Sequence, residues 1–171
     1  VKENENLPIG VVQISDTHFN ELVELLHNRF DFTIASKRLQ KYISKCKVQF
    51  NAKGVKTVLL TLTGDLLNSD RRLDELLSNA TNRSKATFLA VEILINVILD
   101  LNKDYNVNIA AVVGNESRVN KDLGWVHQVA SDSYDLTIYS ILDRVLKNKE
   151  GINFLGGDQL QTVVNVNGYN W

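Results

Sequence analysis

Three short apolar runs each stop at a polar residue able to bind a cation, and this pattern constrains the chain more than any other. Val11-Val12-Gln13-Ile14-Ser15 runs into Asp16-Thr17-His18, Val58-Leu59-Leu60-Thr61-Leu62-Thr63 into Gly64-Asp65, and Ile109-Ala110-Ala111-Val112-Val113 into Gly114-Asn115. Each run is β-rich and has the length of a buried strand. Helix-like stretches separate them. The order strand–helix–strand–helix–strand predicts an α/β fold: a parallel sheet with helices on its faces. In such sheets ligands gather outside the carboxyl ends of the strands. Asp16, His18, Asp65 and Asn115 all fall at that edge, and their O, N, O and O donors suit a divalent cation.

With 171 residues the chain forms one domain, 1–171, long enough to bury a core. A net charge of −1 gives no global basic field of the kind that advertises nucleic-acid binding. Cys46 is the single cysteine, which excludes a disulfide framework and favours a reducing, cytoplasmic setting. No stretch stays apolar for ~18 residues, so no membrane span is expected. The chain starts at Val1 and contains no Met, which reads as a processed or excised segment.

Taken in order, Val1 to Pro8 is a polar leader and Ile9 to Ser15 the first strand. A ligand loop follows, with one helical turn at Glu21 to His27. A long helix fits Thr33 to Lys47, with Ala35, Leu39, Ile43 and Cys46 at three- and four-residue steps and Gly54 at its exit. The second strand is Thr57 to Thr63. Ser69 or Asp70 caps a short helix carrying Leu73, Leu76 and Leu77. A second long helix fits Ser84 to Leu101, with Ala86, Ala90, Ile93, Leu94, Val97 and Leu101 on its stripe. The third strand is Val107 to Val113. Residues 115–133 form a long loop at a strand's carboxyl end, where loops are commonly functional. A third helix fits Tyr134 to Lys147, with Ile138, Ile141, Leu142 and Val145 inward. Ile152 to Leu155 is a short strand, Leu160 to Val166 a β-rich run, and Asn167-Gly168 a tight turn into a return strand at Tyr169.

The strand-end residues carry a definite chemistry. Asp16 and His18 lie two apart, so both side chains can meet one ion. Glycine before Asp65 and before Asn115 leaves room for close approach. A carboxylate has two oxygens and can bridge two cations. Two cations ~3.5–4 Å apart hold a phosphate, lower the pKa of a bound water and stabilise the attacking and leaving oxygens. Hydrolysis of a phosphate ester is the reaction class that fits.

Asp16-Thr17-His18, Gly64-Asp65-Leu66-Leu67-Asn68 and Gly114-Asn115-Glu116 resemble the first three motifs of the calcineurin-like metallophosphoesterase superfamily, in order and at plausible spacing. The resemblance covers Ile9 to Glu116 by motif and the rest by element order. It implies a β-sandwich with a largely parallel βαβαβ core and helices on its outer faces. It also implies two divalent metal ions, Mn first, with Fe, Zn or Mg as alternatives. By the resemblance Asp16 and His18 ligate the first metal, Asp65 bridges, and Asn115 ligates the second metal and touches the phosphate. The Gly64–Asn68 motif is similar to the DNA-repair nuclease branch, which points to a phosphodiester, nuclease-like substrate and to nucleic acid as a partner.

The sequence departs from the family pattern in two places. Glu116 stands where the family has the His that helps protonate the leaving group; it does acid work only if burial raises its pKa. Arg118, two residues on, is placed to pair with the phosphate. The family's later lone His and Gly-His-x-His are absent. The other histidines, His27 and His127 (the latter near Trp125), lie outside such a motif. The expectation is a domain incomplete at its carboxyl end, truncated within its last hairpin. The remainder of its polypeptide would supply the missing ligands, and the isolated segment would be weakly active or inactive. The competing reading is a non-catalytic scaffold or protein-binding module on the same fold, as in the retromer coat subunit. A metal-free nucleotide-binding domain is disfavoured, because no Gly-rich phosphate loop follows the first strand. Arg71-Arg72 and Lys37-Arg38 read as solvated helix faces, and Cys46 as a small core residue.

Overall fold

The computed structural model describes residues 7–119, 131–156 and 160–171. Four strands, β1 (Ile9–Ile14), β4 (Thr57–Leu62), β5 (Asn106–Ala111) and β6 (Ile152–Phe154), pair in the order β1-β4-β5-β6. All three pairings are parallel. Between them run α1 (Phe32–Ala52), α2 (Leu73–Leu77), α3 (Arg83–Asn102) and α4 (Tyr134–Leu146). A mixed α/β fold with an all-parallel sheet is therefore present, and the three apolar runs are its adjacent strands.

The sheet's two faces are unlike. Val12, Leu60 and Ile109 share one row across three strands, and with Ile14, Val58, Leu62, Val107 and Ala111 they pack against the helices. The helical side comes from Ala35 and Ile43 of α1, a stripe from Ala86 to Leu101 on α3, and Ile138 and Leu142 of α4. The opposite face, with Leu59 and Ala110, meets only Val164, Val166, Ile9 and Leu155 within its cluster. Helices were expected on both faces; the long helices lie on one. The other face carries the hairpin of β7 (Asn165–Val166) and β8 (Tyr169–Asn170). Its turn, Asn167-Gly168, has positive φ at both residues, the geometry of a tight primed turn.

Several expectations need correction. Glu21 to His27 is not a helical turn: β2 (Val23–Leu25) and β3 (Asn28–Phe30) form an antiparallel hairpin around Leu26-His27. Helix α1 runs on past Lys47 because Phe50 continues the stripe one turn beyond Cys46. Its ring meets Tyr105 edge-on at 5.8 Å and fills the space where Gly10 lacks a side chain. Gly54 does mark the exit, with φ +66°. The short helix carrying Leu73, Leu76 and Leu77 is present as α2, with all three exposed. At the start of α2 the Arg72 amide donates to Glu75 at 3.3 Å, and Ser69 instead accepts from Arg71. Val145 is also exposed, while Ile138 and Leu142 are fully buried. The β-rich run after Leu160 pairs from Val164 onward: Val164 exchanges both backbone hydrogen bonds with Trp171, and Asn165–Val166 forms β7. His127, Trp125 and most of the long loop after Asn115 lie outside the described residues, as does Val1 to Asn6. Among the described residues no helix is long and apolar enough to cross a membrane.

Candidate metal centre

The site is built from the chain just beyond β1, β4 and β5. Four non-glycine residues among those described have positive φ, and three of them are Asp16 (51°), His18 (42°) and Asp65 (52°). A left-handed backbone costs a non-glycine residue roughly 1–2 kcal/mol, and persists only where its surroundings fix it. They do so here. The Asp16 amide donates to Gly64 O at 3.1 Å, His18 N to Asp65 O at 3.2 Å, and Phe19 N to Leu66 O at 2.8 Å. The Thr17 hydroxyl adds a bond to Leu66 O at 3.2 Å. Pairing between the β1 and β4 segments thus continues past the sheet edge, and it carries Asp16 and His18 alongside Asp65.

The loop after β5 joins from the other side. Asp65 Oδ1 accepts the Glu116 amide at 2.7 Å. Asp135, with 0% of its surface exposed, accepts three backbone amides: Asp65 N at 3.0 Å and Gly114 N at 2.9 Å on Oδ2, and Leu66 N at 3.1 Å on Oδ1. Arg83, 5% exposed and with its guanidinium 5.0 Å from the Tyr134 ring centre, supplies the complementary donors. It donates to the carbonyls of Asn68 (3.1 Å), Glu116 (2.8 Å) and Arg118 (3.1 Å). Asn20, fully buried, accepts Asn68 N at 2.6 Å and donates to Asn79 Oδ1 at 2.9 Å.

Electrostatics place four of the predicted groups in one neighbourhood. Burial pushes the Asp65 carboxyl above its ordinary pKa. The charges of Asp16 and Glu116 push the same way, and the Glu116 amide and His18 oppose them. Asn115 donates through Nδ2 to the Glu116 carboxylate, which leaves its Oδ1 as the atom available to a ligand. Glu116 also meets Arg71 Nη2 at 2.7 Å. Arg118 lies on the same loop, bridged to Ser133.

The donor set and one orphaned atom fit a cation. His18 Nδ1 is buried without a hydrogen-bond partner, a costly state for a ring nitrogen and one that a ligand would relieve. The side chains are not yet closed on one point: among the described residues no three His, Cys, Asp or Glu form a ready metal-binding group. Asp16 turns to the Ser15 hydroxyl, and Asn115 to Glu116.

Sequence reasoning missed Arg83 and Asp135. Both occupy the first position of a buried helical stripe, Arg83 before Thr87, Ala90 and Leu94, and Asp135 before Ile138, Tyr139 and Leu142. A charge in phase with a core stripe was the available signal. Among known proteins, no family model, no curated protein and no solved structure matches the chain.

Proposed function

We propose that this chain is a metallophosphoesterase-type domain that hydrolyses phosphate esters with two divalent cations, a phosphodiester such as a nucleic acid being the favoured substrate. The observation that carries this reading is the convergence of Asp16, His18 and Asp65. Three left-handed residues from two strand ends are tied together by backbone hydrogen bonds, beside a buried ring nitrogen that lacks a partner. Asp16 and His18 would hold one cation, Asp65 would bridge, and Asn115 would hold the second through Oδ1. When bound, the cations, Mn²⁺ first and Fe, Zn or Mg as alternatives, lower the pKa of water and neutralise a phosphate. This chain's own groups do the rest. Asn115 orients the ester, with Arg118 on the same loop as an anion partner. Glu116, engaged by Arg71 and Asn115, fixes the Asn115 side chain. The sheet face at Leu59 and Ala110 supports the sandwich architecture, because it is covered by the β7–β8 segment and not by a helical layer. The lone Cys46 supports a cytoplasmic setting.

A second reading, a non-catalytic scaffold on the same fold, is favoured by one observation. Glu116 stands where the resemblance expects a proton-donating His, and it is already held by two donors.

Titration with Mn²⁺ of the polypeptide extended past Trp171 separates the two. Under the enzyme reading, Mn²⁺ at a hundredfold excess over its Kd stabilises the chain by ~2.7 kcal/mol. It also supports hydrolysis of a chromogenic phosphodiester over a monoester, and Asp65→Asn abolishes both effects. Mn²⁺ binding without turnover supports the scaffold. No Mn²⁺ binding removes the metal centre from both.

A further inference from the structure

Asp135 and Arg83 lie outside every motif discussed so far, yet they touch the backbone on both sides of the candidate ligands. Asp135 takes the amides of Asp65, Leu66 and Gly114; Arg83 gives to the carbonyls of Asn68, Glu116 and Arg118. Between them they bracket the segments 65–68 and 114–118 with opposite charges. We propose that Asp135 and Arg83 are positioning residues that set the distance between Asp65 and Asn115, and so the metal affinity of the centre. The inference rests on the metal reading above.

Two physical arguments support it. First, Asp65 has a left-handed backbone that it would leave unless held. Asp135 binds its amide, and the same Oδ2 binds Gly114 N, so a single oxygen spans the two turns. A hydrogen bond to a charged acceptor is short and about twice as strong as a neutral one. Second, neither residue can be explained by solvent contact. Both are buried, and a buried charge is costly unless it is paired or hydrogen-bonded; Arg83 uses both Nη atoms on the loop carbonyls, while its Nε makes no hydrogen bond and lies 3.6 Å from Asp70. For Asp135 the hydrogen bonds come from backbone amides of the site's loops and from Ser117, with the charge of Arg83 acting on it from nearby. Groups that support ligands from behind typically change metal affinity 10–100-fold when removed.

Asp135→Asn and Arg83→Lys test this, since each keeps volume and part of the hydrogen bonding. Asp135→Ala exposes three unpaired amides and is expected to unfold, so it is not the informative variant. Mn²⁺ affinity is measured by calorimetry on folded protein, and amide exchange at Asp65 and Gly114 is followed without metal. The expected result is a tenfold or greater loss of Mn²⁺ affinity in Asp135→Asn, with faster exchange at those two amides, and a smaller loss in Arg83→Lys. A merely structural role would lower the melting temperature but leave the affinity of the folded protein unchanged; that result overturns the proposal while the metal centre stands. Wild-type protein that binds no Mn²⁺ overturns both.

Discussion

The backbone of Gly114 occupies the side-chain space of Gly64. A Cβ built on Gly64 would fall inside the Gly114 backbone, and one on Gly114 would strike the Asp65 carboxylate and amide. The glycines therefore do more than permit turns: they let two strand ends touch, and so bring Asp65 beside Asn115 and Glu116. Gly64 also has φ +85°. Gly64→Ala combines a left-handed penalty of ~1–2 kcal/mol with an overpacking cost of ~1–3 kcal/mol, so a loss of about 3 kcal/mol or more is expected in urea melts. Gly114→Ala lacks the backbone penalty and should lose less. A Gly64→Ala variant as stable as wild type would mean that the two turns are not in contact.

Asp65 predicts a conflict between stability and metal binding. Burial, then the charges of Asp16 and Glu116, hold its carboxyl above the ordinary range against the pull of the Glu116 amide and His18. The folded pKa thus exceeds the unfolded value of ~3.9. The stability it contributes is complete below that value and is lost as pH rises through the folded pKa. Asparagine has no proton to lose and still accepts the Glu116 amide. Without metal at pH 7, Asp65→Asn should therefore melt above wild type, with the gap closing toward pH 4. Excess Mn²⁺ should reverse the order by stabilising wild type alone. A lower Tm for metal-free Asp65→Asn at pH 7 would refute the electrostatic account.

The parallel sheet was legible because β1, β4 and β5 are continuous apolar runs ended by Asp16, Gly64 and Gly114. The hairpin at Val23 to Phe30 was not, because Glu24, Asn28 and Arg29 are exposed and leave no period of two to read. The short helix at Leu73, Leu76 and Leu77 was legible from their spacing, but their exposure was not: α2 has only five residues and buries none of them. The candidate ligands Asp16, His18, Asp65 and Asn115 could be nominated from residue type and their place at the strand ends. Their support could not. Asp135 looks like an ordinary acid in a helix's first turn, and Arg83 like an ordinary surface cation. Only tertiary contact reveals that each holds backbone groups distant in sequence.

Glu116 should prove to be half of an anchoring pair. Arg71 Nη2 lies 2.7 Å from Oε2, and both side chains are largely shielded, at 16% and 25% exposure. Such a pair differs from a surface ion pair, whose worth is ~0–1 kcal/mol. A double-mutant cycle with Arg71→Met and Glu116→Gln, read by chemical denaturation, should give a coupling of ~1–2 kcal/mol, toward the value for hydrogen bonds to charged groups. Zero coupling would show that the contact carries no energy and would leave Glu116 free for another role. Turnover offers an independent reading. If Glu116 anchors Asn115, Arg71→Met and Glu116→Gln should reduce phosphodiester hydrolysis to similar extents. A proton donor would make Glu116→Gln much the worse and remove the alkaline limb of the pH–rate profile.

Tyr139 offers the last test, at the opposite end of the pH scale. Its hydroxyl is buried and lies 3.1 Å from Val112 O and 3.5 Å from Leu62 O, where β4 and β5 give way to the glycine turns. Leu62 O already receives the Val112 amide at 2.9 Å, so Val112 O is the carbonyl that depends on the phenol. Tyr139→Phe should cost ~0.5–1.5 kcal/mol at pH 7, the worth of one hydrogen bond. Burial, with the charges of Asp135 and Asp65 behind it, raises the phenol's pKa well above 10. The folded value again exceeds the unfolded one, so the stability this proton provides is intact below pH ~10 and disappears as pH climbs through the folded pKa. Wild type should lose stability between pH 9 and ~11 while Tyr139→Phe loses less, and the gap between them should shrink or invert. Urea melts at the two ends of that range, with phenolate absorbance followed alongside, measure it. An equal gap at both ends, or a Tyr139 phenolate appearing with the exposed tyrosines, would mean that the hydroxyl is not sealed beneath the strand ends, and the rigid base on which Asp65 sits would need another explanation.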